Sequence, residues 1–311
     1  MNKFLKKNNE KKSIAIFGAS GFIGRNLVDL LSKNGWTIMA LMRNPHYASY
    51  LLPMGDVGQV YLKSCNILDY DSVLEATKNV DCVVNLVGIL FQTKNQRFHE
   101  IHIKGAENIA KACLENDIKR LLHVSALGIR KGSLANYSRS KFEGELRVKS
   151  VYKKSIILRP SVVFGPHDNF INKFAQLVSI FPVLPLIGGG LTRFQPVYIK
   201  DLTNLIEYLS MSRLYKGKTF ELGGLDIFTL KELFNLIVQS KGIKRRYIPV
   251  PFAITKLIGM ACSFLPNPPI TVDQVRLLQE DNITSNSAFG FKQLGIVPVK
   301  LEAYLNKFFE N

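Results

Sequence analysis

Two residues that could move a proton lie four positions apart in this chain, at Tyr137 and Lys141. On a helix this spacing places both side chains on one face. A lysine ammonium beside a phenol favours the phenolate, so Lys141 is expected to lower the pKa of Tyr137 and make it a proton donor or acceptor. The same ammonium could bind the ribose of a nucleotide. The pair is common by chance, so its meaning depends on the rest of the chain.

A glycine motif with the spacing G-x-x-G-x-x-G precedes the pair, between an apolar run and a helical pattern. Gly18 allows a tight turn, Gly21 brings the backbone close to a diphosphate, and Gly24 lets the helix pack on the strand. Unpaired N–H groups and the helix dipole favour negative charge there. We therefore predict that this segment binds a nicotinamide dinucleotide. Its predicted contacts are Gly18, Ser20, Gly21, Phe22, Ile23, Gly24 and Arg25.

The end of the second predicted strand favours NADP(H) over NAD(H). Proteins that bind NAD place an acid there, which would repel a 2′-phosphate. The segment Trp36–His46 has no Asp or Glu, and it contains Arg43. The planar guanidinium of Arg43 can pair with a phosphate, and Arg25 could join it. Further cofactor contacts are predicted after the third and fourth strands, at Asn66, Ile67, Val87 and Gly88.

Strands and helices alternate through the first half of the chain. Strands are predicted at Ser13–Phe17, Trp36–Met42, Gln59–Leu62, Asp81–Val87, Arg120–Ser125 and Ser155–Leu158. Helices are predicted at Phe22–Ser32, from Asp71, at Phe98–Leu114 and at Tyr137–Val151. This alternation predicts an α/β fold, a Rossmann-type doubly wound parallel sheet.

The regular alternation of strands and helices ends past Pro166. We predict that the rest of the chain forms a smaller C-terminal α/β lobe, which closes over the cofactor site at the carboxyl ends of the strands. The predicted division is a basic tail at 1–12, a dinucleotide-binding domain at 13–165 and the lobe at 166–311. Within the lobe, Phe252–Phe264 is apolar but too short to cross a bilayer. We expect a core helix there. A helix on a membrane surface is the alternative, because basic residues precede it.

The composition is that of a globular protein, with 47% hydrophobic and 21% charged residues. The net charge of +17 favours anionic partners. The lysines are spread along the chain, so a solvated basic surface is expected, and no motif supports nucleic-acid binding. The N-terminus does not resemble a signal peptide. We predict a cytoplasmic protein, with peripheral association at the inner face of the cytoplasmic membrane as an alternative, free cysteines and no metal site.

Together these motifs resemble the short-chain dehydrogenase/reductase superfamily, in its extended or atypical branch. The matching segments are Gly18–Gly24, Tyr137–Lys141, Leu158–Ser161, Phe164–Pro166 and Gln195–Asp201. Within that branch the chain is most similar to the NADPH-binding accessory subunits of respiratory complex I and their bacterial relatives. The resemblance implies a nucleotide that is held mainly as a structural ligand, and respiratory complex I as a partner.

The resemblance also implies roles for single residues. Tyr137 and Lys141 take the positions of the catalytic pair, Ser125 that of the catalytic serine, and Pro160 that of a cofactor contact. Two departures bear on activity: an alternative alignment puts Ala126 at the serine position, and His102 stands where active members carry an Asn.

Three functions stay open at this point. The first is an accessory or assembly component of a respiratory NADH:quinone oxidoreductase that holds NADP(H). The second is a free-standing NADP-dependent oxidoreductase or epimerase that uses Tyr137 and Lys141. The third is a basic module that senses a nucleotide and binds RNA or a membrane.

Overall fold

The structure is a computed structural model that describes residues 12–265 and 268–309. The predicted basic tail lies outside the described residues, apart from Lys12. The strands are β1 (Ser13–Phe17), β2 (Thr37–Met42), β3 (Val60–Ser64), β4 (Cys82–Asn85), β5 (Arg120–Val124), β6 (Ile156–Pro160), β7 (Val163–Phe164), β8 (Val183–Ile187), β9 (Arg193–Phe194), β10 (Val197–Tyr198), β11 (Thr219–Leu222), β12 (Phe228–Thr229) and β13 (Arg246–Val250). The α-helices are α1 (Phe22–Lys33), α2 (Tyr70–Ala76), α3 (Gly105–Glu115), α4 (Asn136–Val151), α5 (Ile171–Ile180), α6 (Ile199–Met211), α7 (Leu230–Ser240), α8 (Phe252–Ala261), α9 (Val272–Leu277) and α10 (Leu301–Phe309).

Seven parallel strands form the central sheet, in the order β11-β6-β5-β4-β1-β2-β3. β1 pairs with β2 on one side and with β4 on the other, so the strand order reverses at β1. In doubly wound sheets, ligands bind at the carboxyl ends of the strands beside this point. The predicted Rossmann-type α/β fold is confirmed.

Helices cover both faces of the sheet. In β1, Ile14 and Ile16 belong to the core layer shared with α1 and α6. Ala15 and Phe17 belong to the opposite layer, shared with α2, α3 and α4. Central parallel strands are buried on both faces and are therefore continuously apolar. This is why the sequence of β1 shows no alternation of polar and apolar residues.

The chain beyond residue 165 contributes both to the central sheet and to a second, smaller core. β11 extends the sheet beside β6, and α6 packs on α1. The remaining strands form the short pairs β7–β10, β8–β13 and β9–β12. They surround a core that includes Phe164, Phe194 and Phe234. The C-terminal lobe is therefore a packed unit, and the division at residue 165 stays a prediction.

The expectation that Phe252–Phe264 forms a core helix is wrong. α8 buries only Thr255 and Gly259, and of its large apolar side chains Ile254, Leu257, Ile258 and Met260 are exposed. Apolar residues occupy nearly every position of this segment, so its sequence has no periodicity that would mark a buried side. Among the described residues, no helix is both long and apolar enough to cross a membrane.

A buried ion pair joins α4 to the sheet, and the loss of stability on its removal can be measured. Arg159 of β6 donates three hydrogen bonds of 2.7 to 3.2 Å to the carboxylate of Glu145, whose side chain is 3% exposed. Neutralising Glu145 leaves the largely buried guanidinium of Arg159 with Glu221, 3.6 Å away, as its remaining counter-charge. We expect Glu145→Gln to lower the free energy of unfolding by about 3 kcal/mol, measured by urea unfolding.

The control for this variant is Glu143→Gln on the same helix. Glu143 pairs with Arg147 at 4.0 Å, and both side chains are exposed. Exposed pairs contribute little to stability, so we expect a change below about 0.5 kcal/mol. Equal losses in the two variants would contradict the role given to the buried pair.

Candidate functional site

The glycine segment lies between β1 and α1, at the point where the strand order reverses. Gly18 has a φ of +80°, a left-handed conformation that strains residues with a side chain. Its N–H donates to the carbonyl of Leu41 in β2 at 3.0 Å. A Cβ on Gly18 would lie 3.4 Å from Cγ2 of Val87, just after β4. Glycine therefore lets the ends of three neighbouring strands meet.

Gly24 permits close contact between α1 and the loop before it. A Cβ on Gly24 would overlap the backbone of Gly18 and Ala19. The helix begins after Gly21 with no side-chain cap and no acidic residue in its first turn. Its first N–H groups have no carbonyl partner inside the helix. A diphosphate fits this end, because the N–H groups and the helix dipole carry partial positive charge.

The other predicted residues of the loop lie around this helix end. Ser20 is exposed, and its carbonyl accepts a hydrogen bond from the hydroxyl of Tyr50 at 2.9 Å. Phe22 and Ile23 are half-buried. The segment that follows β2 therefore covers part of the glycine loop.

Arg43 follows β2 directly, and its side chain is exposed. With the side-chain amide of Gln96 turned so that its oxygen faces Arg43, this oxygen accepts from the guanidinium at 2.7 and 3.1 Å. Because β2 is the neighbour of β1, Arg43 lies at the same edge of the sheet as the glycine segment. Arg25 has different partners: its Nη2 donates to the carbonyl of His167 at 2.9 Å, and its guanidinium lies 5.7 Å from the centroid of the Phe22 ring.

Asn66 and Ile67 follow β3 and differ in exposure. Asn66 is exposed, and its Oδ1 accepts a hydrogen bond from the N–H of Leu68 at 3.1 Å. Ile67 is buried and lies where a Cβ on Gly105 would overlap its side chain. Of the two predicted contacts, Asn66 is the one that presents a polar side chain to solvent.

Gly88 lies where the chain after β4 meets α4. A Cβ on Gly88 would lie 3.4 Å from Nζ of Lys141 and 3.7 Å from Nε2 of His102. Lys141 is buried, and its Nζ donates to the carbonyl of Val124 in β5 at 3.1 Å. Burial lowers the pKa of Lys141 to about 8. The structure thus brings the predicted residues Gly88 and Lys141 together.

Tyr137 lies one helical turn before Lys141, among aromatic rings. Its ring centroid is 5.4 Å from that of His102 and 6.0 Å from that of Phe98, in edge-on contacts. Burial raises the pKa of Tyr137 to about 12. The expectation that Lys141 lowers this pKa is therefore wrong, because burial shifts it in the opposite direction.

Ser125 and Pro160 lie at the carboxyl ends of β5 and β6. The N–H of Ser125 donates to the carbonyl of Leu158 at 2.7 Å, and the carbonyl of Pro160 accepts from the N–H of Leu127 at 2.9 Å. Within the described part of the chain, the buried hydroxyl of Ser125 has no hydrogen-bond partner. Such a group is costly unless something binds it. It is therefore suited to bind a ligand.

His102 supports the loop that follows β4. Its Nε2 accepts a hydrogen bond from the N–H of Ile89 at 3.0 Å, so the ring proton is on Nδ1, which donates to the hydroxyl of Ser140 at 2.8 Å. The ring also stacks on Phe98. Burial and the charge of Lys141 lower the pKa of His102 to about 2. His102 is therefore a neutral ring that positions backbone.

Asp273 holds the start of α4, and no sequence pattern singled it out. Its carboxylate accepts hydrogen bonds from the N–H groups of Asn136 at 2.7 Å and Tyr137 at 2.8 Å. The residue at the N-cap position, Ala135, has no side chain that could do this. Only the packing of the C-terminal lobe brings Asp273 to this helix.

Asn85 and His123 form a buried polar pair between β4 and β5. Nδ2 of Asn85 lies 3.1 Å from Nδ1 of His123, and Oδ1 of Asn85 accepts from the N–H of Val87 at 3.0 Å. Burial and the charge of Lys141 lower the pKa of His123 to about 3. The sequence did contain a signal, since polar residues within apolar strands need partners.

The residues at this edge of the sheet fit a nicotinamide dinucleotide. The glycine segment and the start of α1 fit its diphosphate, and the ammonium of Lys141 offers a donor to its ribose. When bound, the nicotinamide would supply hydride transfer. Tyr137 would hold a proton at its hydroxyl oxygen.

The two neutral buried histidines predict a loss of stability in acid. In the unfolded chain a histidine takes up a proton as the pH falls through about 6.5, whereas the rings of His102 and His123 stay neutral down to about pH 3 when folded. Their contribution is therefore fully present above about pH 6.5 and is lost as the pH falls, by about 1.4 kcal/mol per pH unit for each ring.

We expect His102→Asn to reduce the pH slope of the free energy of unfolding by about 1.4 kcal/mol per pH unit, measured with urea between about pH 6 and about pH 4. Asn keeps an acceptor for the N–H of Ile89 and cannot titrate. The control is His99→Gln, because His99 is exposed and should leave the slope unchanged. Equal slopes for His102→Asn and the parent protein would show that His102 is not held neutral.

Comparisons with known proteins give a consistent result. The model of the NAD dependent epimerase/dehydratase family matches residues 14–223. Subunit 9 of the NADH dehydrogenase [ubiquinone] 1 alpha subcomplex from Arabidopsis thaliana mitochondria is 34% identical over 301 residues, which cover 93% of this chain and 75% of the relative. The 40 kDa subunit of mitochondrial NADH-ubiquinone oxidoreductase from Neurospora crassa is 30% identical, over 92% of this chain and 76% of its own length.

A solved structure agrees on the fold. DesIV, a dTDP-glucose 4,6-dehydratase from Streptomyces venezuelae with NAD and TYD bound, has a TM-score of 0.72, covers 96% of both chains and is 18% identical. The family match contains every residue predicted for the site. It supports a nicotinamide dinucleotide without deciding between NAD(H) and NADP(H). The chain therefore belongs to the NAD dependent epimerase/dehydratase family, the extended short-chain dehydrogenases/reductases, and the resemblance drawn from its motifs is confirmed.

Proposed function

We propose that this protein holds NADP(H) as a structural ligand and is an accessory or assembly component of a respiratory NADH:quinone oxidoreductase. The observation that carries the proposal is 34% identity, over 93% of the chain, to a subunit of NADH dehydrogenase [ubiquinone]. Ubiquinone is a lipid-soluble electron carrier that reacts at a membrane. We therefore also propose a peripheral position at the inner face of the cytoplasmic membrane.

The end of β2 supports NADP(H) over NAD(H). The hydrogen bond from Gly18 to Leu41 brings this strand end to the glycine segment. Arg43 follows two residues later with an exposed guanidinium, and the segment Trp36–His46 contains no acid that would repel a 2′-phosphate. The positive charge of Arg43 and the absence of a repelling acid both favour NADP(H) over NAD(H).

Three features of the catalytic positions support a nucleotide that is held rather than turned over. A general acid or base works best when its pKa is near the pH at which it operates, and burial raises that of Tyr137 to about 12. His102 is neutral, and both of its nitrogens are occupied. The ammonium of Lys141 donates to the backbone of Val124, which fixes it beside Gly88.

The alternative is a free-standing NADP-dependent oxidoreductase or epimerase. The observation in its favour is that Tyr137 and Lys141 share one face of α4 at the carboxyl ends of the strands, next to Gly88. In that function Tyr137 would transfer a proton at its hydroxyl oxygen and Ser125 would bind the substrate through its hydroxyl. The two functions predict different effects of removing the Tyr137 hydroxyl.

Nucleotide titration tests the role of Arg43. Arg43→Ala removes a charge-assisted contact to the 2′-phosphate, so we expect the Kd for NADPH to rise about 10-fold to 100-fold and that for NADH to stay within about 2-fold. Arg213→Ala removes a charge in the turn after α6 and should change neither. Parallel losses for both nucleotides in Arg43→Ala would contradict the assignment.

Gene replacement in the native organism separates a held nucleotide from a reactive one. Gly24→Ala places a Cβ against the backbone of Gly18 and should displace the nucleotide. We expect it to lower the amount of assembled NADH:quinone oxidoreductase on native gels as much as gene deletion does. Tyr137→Phe removes only a hydroxyl and should leave both the bound nucleotide and the assembly intact.

Gly132→Ala is the matched control, because a Cβ there meets nothing within 4 Å. Normal assembly after gene deletion would refute the accessory role. Turnover of NADPH that Tyr137→Phe abolishes would favour the free-standing enzyme instead.

A further inference from the structure

The helix α8 and the turn after it carry a continuous set of exposed apolar side chains. Their exposed fractions range from 47% for Ile258 to 91% for Phe264. This set, called the α8 surface below, consists of Ile254, Leu257, Ile258, Met260, Phe264 and Leu265. Single exposed apolar residues are normal on a protein, whereas a contiguous patch marks an interaction site.

Contacts on the opposite side of α8 keep the α8 surface exposed to solvent. Thr255 and Gly259, one turn apart, are its buried residues. A Cβ on Gly259 would lie 3.0 Å from the backbone nitrogen of Val272, so the helix rests closely on the start of α9. At the other end, Phe252 packs against Gly188. The fold therefore orients the apolar side chains away from the lobe.

The strand pair β8–β13, which leads directly into α8, adds a second exposed face. Val183 pairs with Arg246, and Pro185 pairs with Ile248. All four are exposed. Leu184 and Leu186 of β8 point to the opposite side and are buried in the lobe core. The exposed face of this pair is apolar apart from one arginine.

The segments that form these faces carry charges of one sign. The stretches 169–200 and 241–272, which include α5, β8, β13 and α8, contain no Asp or Glu. They do contain Lys244, Arg246 and Lys256, of which Lys244 and Arg246 are exposed. Arg245 is held by the carbonyls of Val178 and Ser179. An apolar face flanked by cations and free of acids complements an anionic, apolar partner.

We propose that the α8 surface docks on the anionic face of a lipid bilayer, with α8 lying in the plane of the interface. A ten-residue helix is about 15 Å long, half the thickness of the hydrocarbon core, so it can lie in the interface but not span it. Aliphatic side chains enter the acyl region while lysine and arginine meet lipid phosphates. The proposal deepens the peripheral membrane position proposed above by naming the contact surface and the lipid class.

Sedimentation with vesicles tests the proposal on the full purified chain. We expect binding to phosphatidylcholine vesicles that contain about 30% phosphatidylglycerol, and binding at least about 10-fold weaker to phosphatidylcholine alone. Leu257→Gln combined with Phe264→Gln should weaken binding to the anionic vesicles at least about 10-fold. Both residues are exposed, so the variant should keep its thermal unfolding midpoint and its nucleotide affinity.

Leu214→Gln is the matched control. Leu214 is 77% exposed and lies between Arg213 and Lys216 in the sequence. This segment leads into the start of β11, whereas the nucleotide site lies at the carboxyl ends of the strands. If this variant loses binding while the α8 variant keeps it, the basic surface at that end is the docking site and the proposal is wrong. Absence of vesicle binding by the parent protein would also overturn it and assign the α8 surface to a protein partner.

Fluorescence gives a second readout that does not depend on affinity. The only tryptophan of the chain, Trp36, is buried in the sheet core. We expect Leu257→Trp to show a blue shift with anionic vesicles and quenching by brominated lipid, and Leu214→Trp to show neither. No quenching of bound Leu257→Trp would overturn the proposal. These assays use no other subunit, so their failure is distinguishable from a failure to assemble with the oxidoreductase.

Discussion

The close approach of backbone to backbone at the start of α1 is the constraint on which the site depends. Gly24 leaves no room for a Cβ and Gly18 adopts a left-handed φ of +80°, and together they let α1 point its unpaired N–H groups at the carboxyl edge of the sheet. The hydrogen bond from Gly18 to Leu41 fixes the end of β2 at the same place. One local packing arrangement therefore brings together the helix end that fits a diphosphate and the strand end that Arg43 follows.

A second layer of polar groups lies in the low-dielectric interior beside this loop. Lys141, His102 and His123 are buried close together, and burial disfavours the charged form of each. Both histidines are neutral, so the buried ammonium of Lys141 does not face further positive charge from them. Glu145, one turn after Lys141, is paired with Arg159. Lys141 is therefore buried beside neutral histidines and bonded to the carbonyl of Val124, with no direct carboxylate partner.

The C-terminal half of the chain contributes residues that support the site, and it also carries the exposed apolar residues of α8. Asp273 caps the helix that carries Tyr137 and Lys141, and Asn282 bonds the carbonyl of Leu127 in the loop after β5. α8 packs on the helix of Asp273 through Gly259. The element that holds the start of α4 in place is therefore also the one on which the buried side of α8 rests.

The sequence by itself determined the features that depend on neighbours along the chain. The glycine spacing, the alternation of strands and helices, and the missing acid between Trp36 and His46 all act within one βαβ unit, where local sterics and charge decide the outcome. Only the tertiary structure decided that β11 joins the sheet, that Asp273 caps α4 and that α8 is exposed. These depend on contacts between residues far apart in the chain, and nothing in a uniformly apolar segment marks which of its sides will be covered.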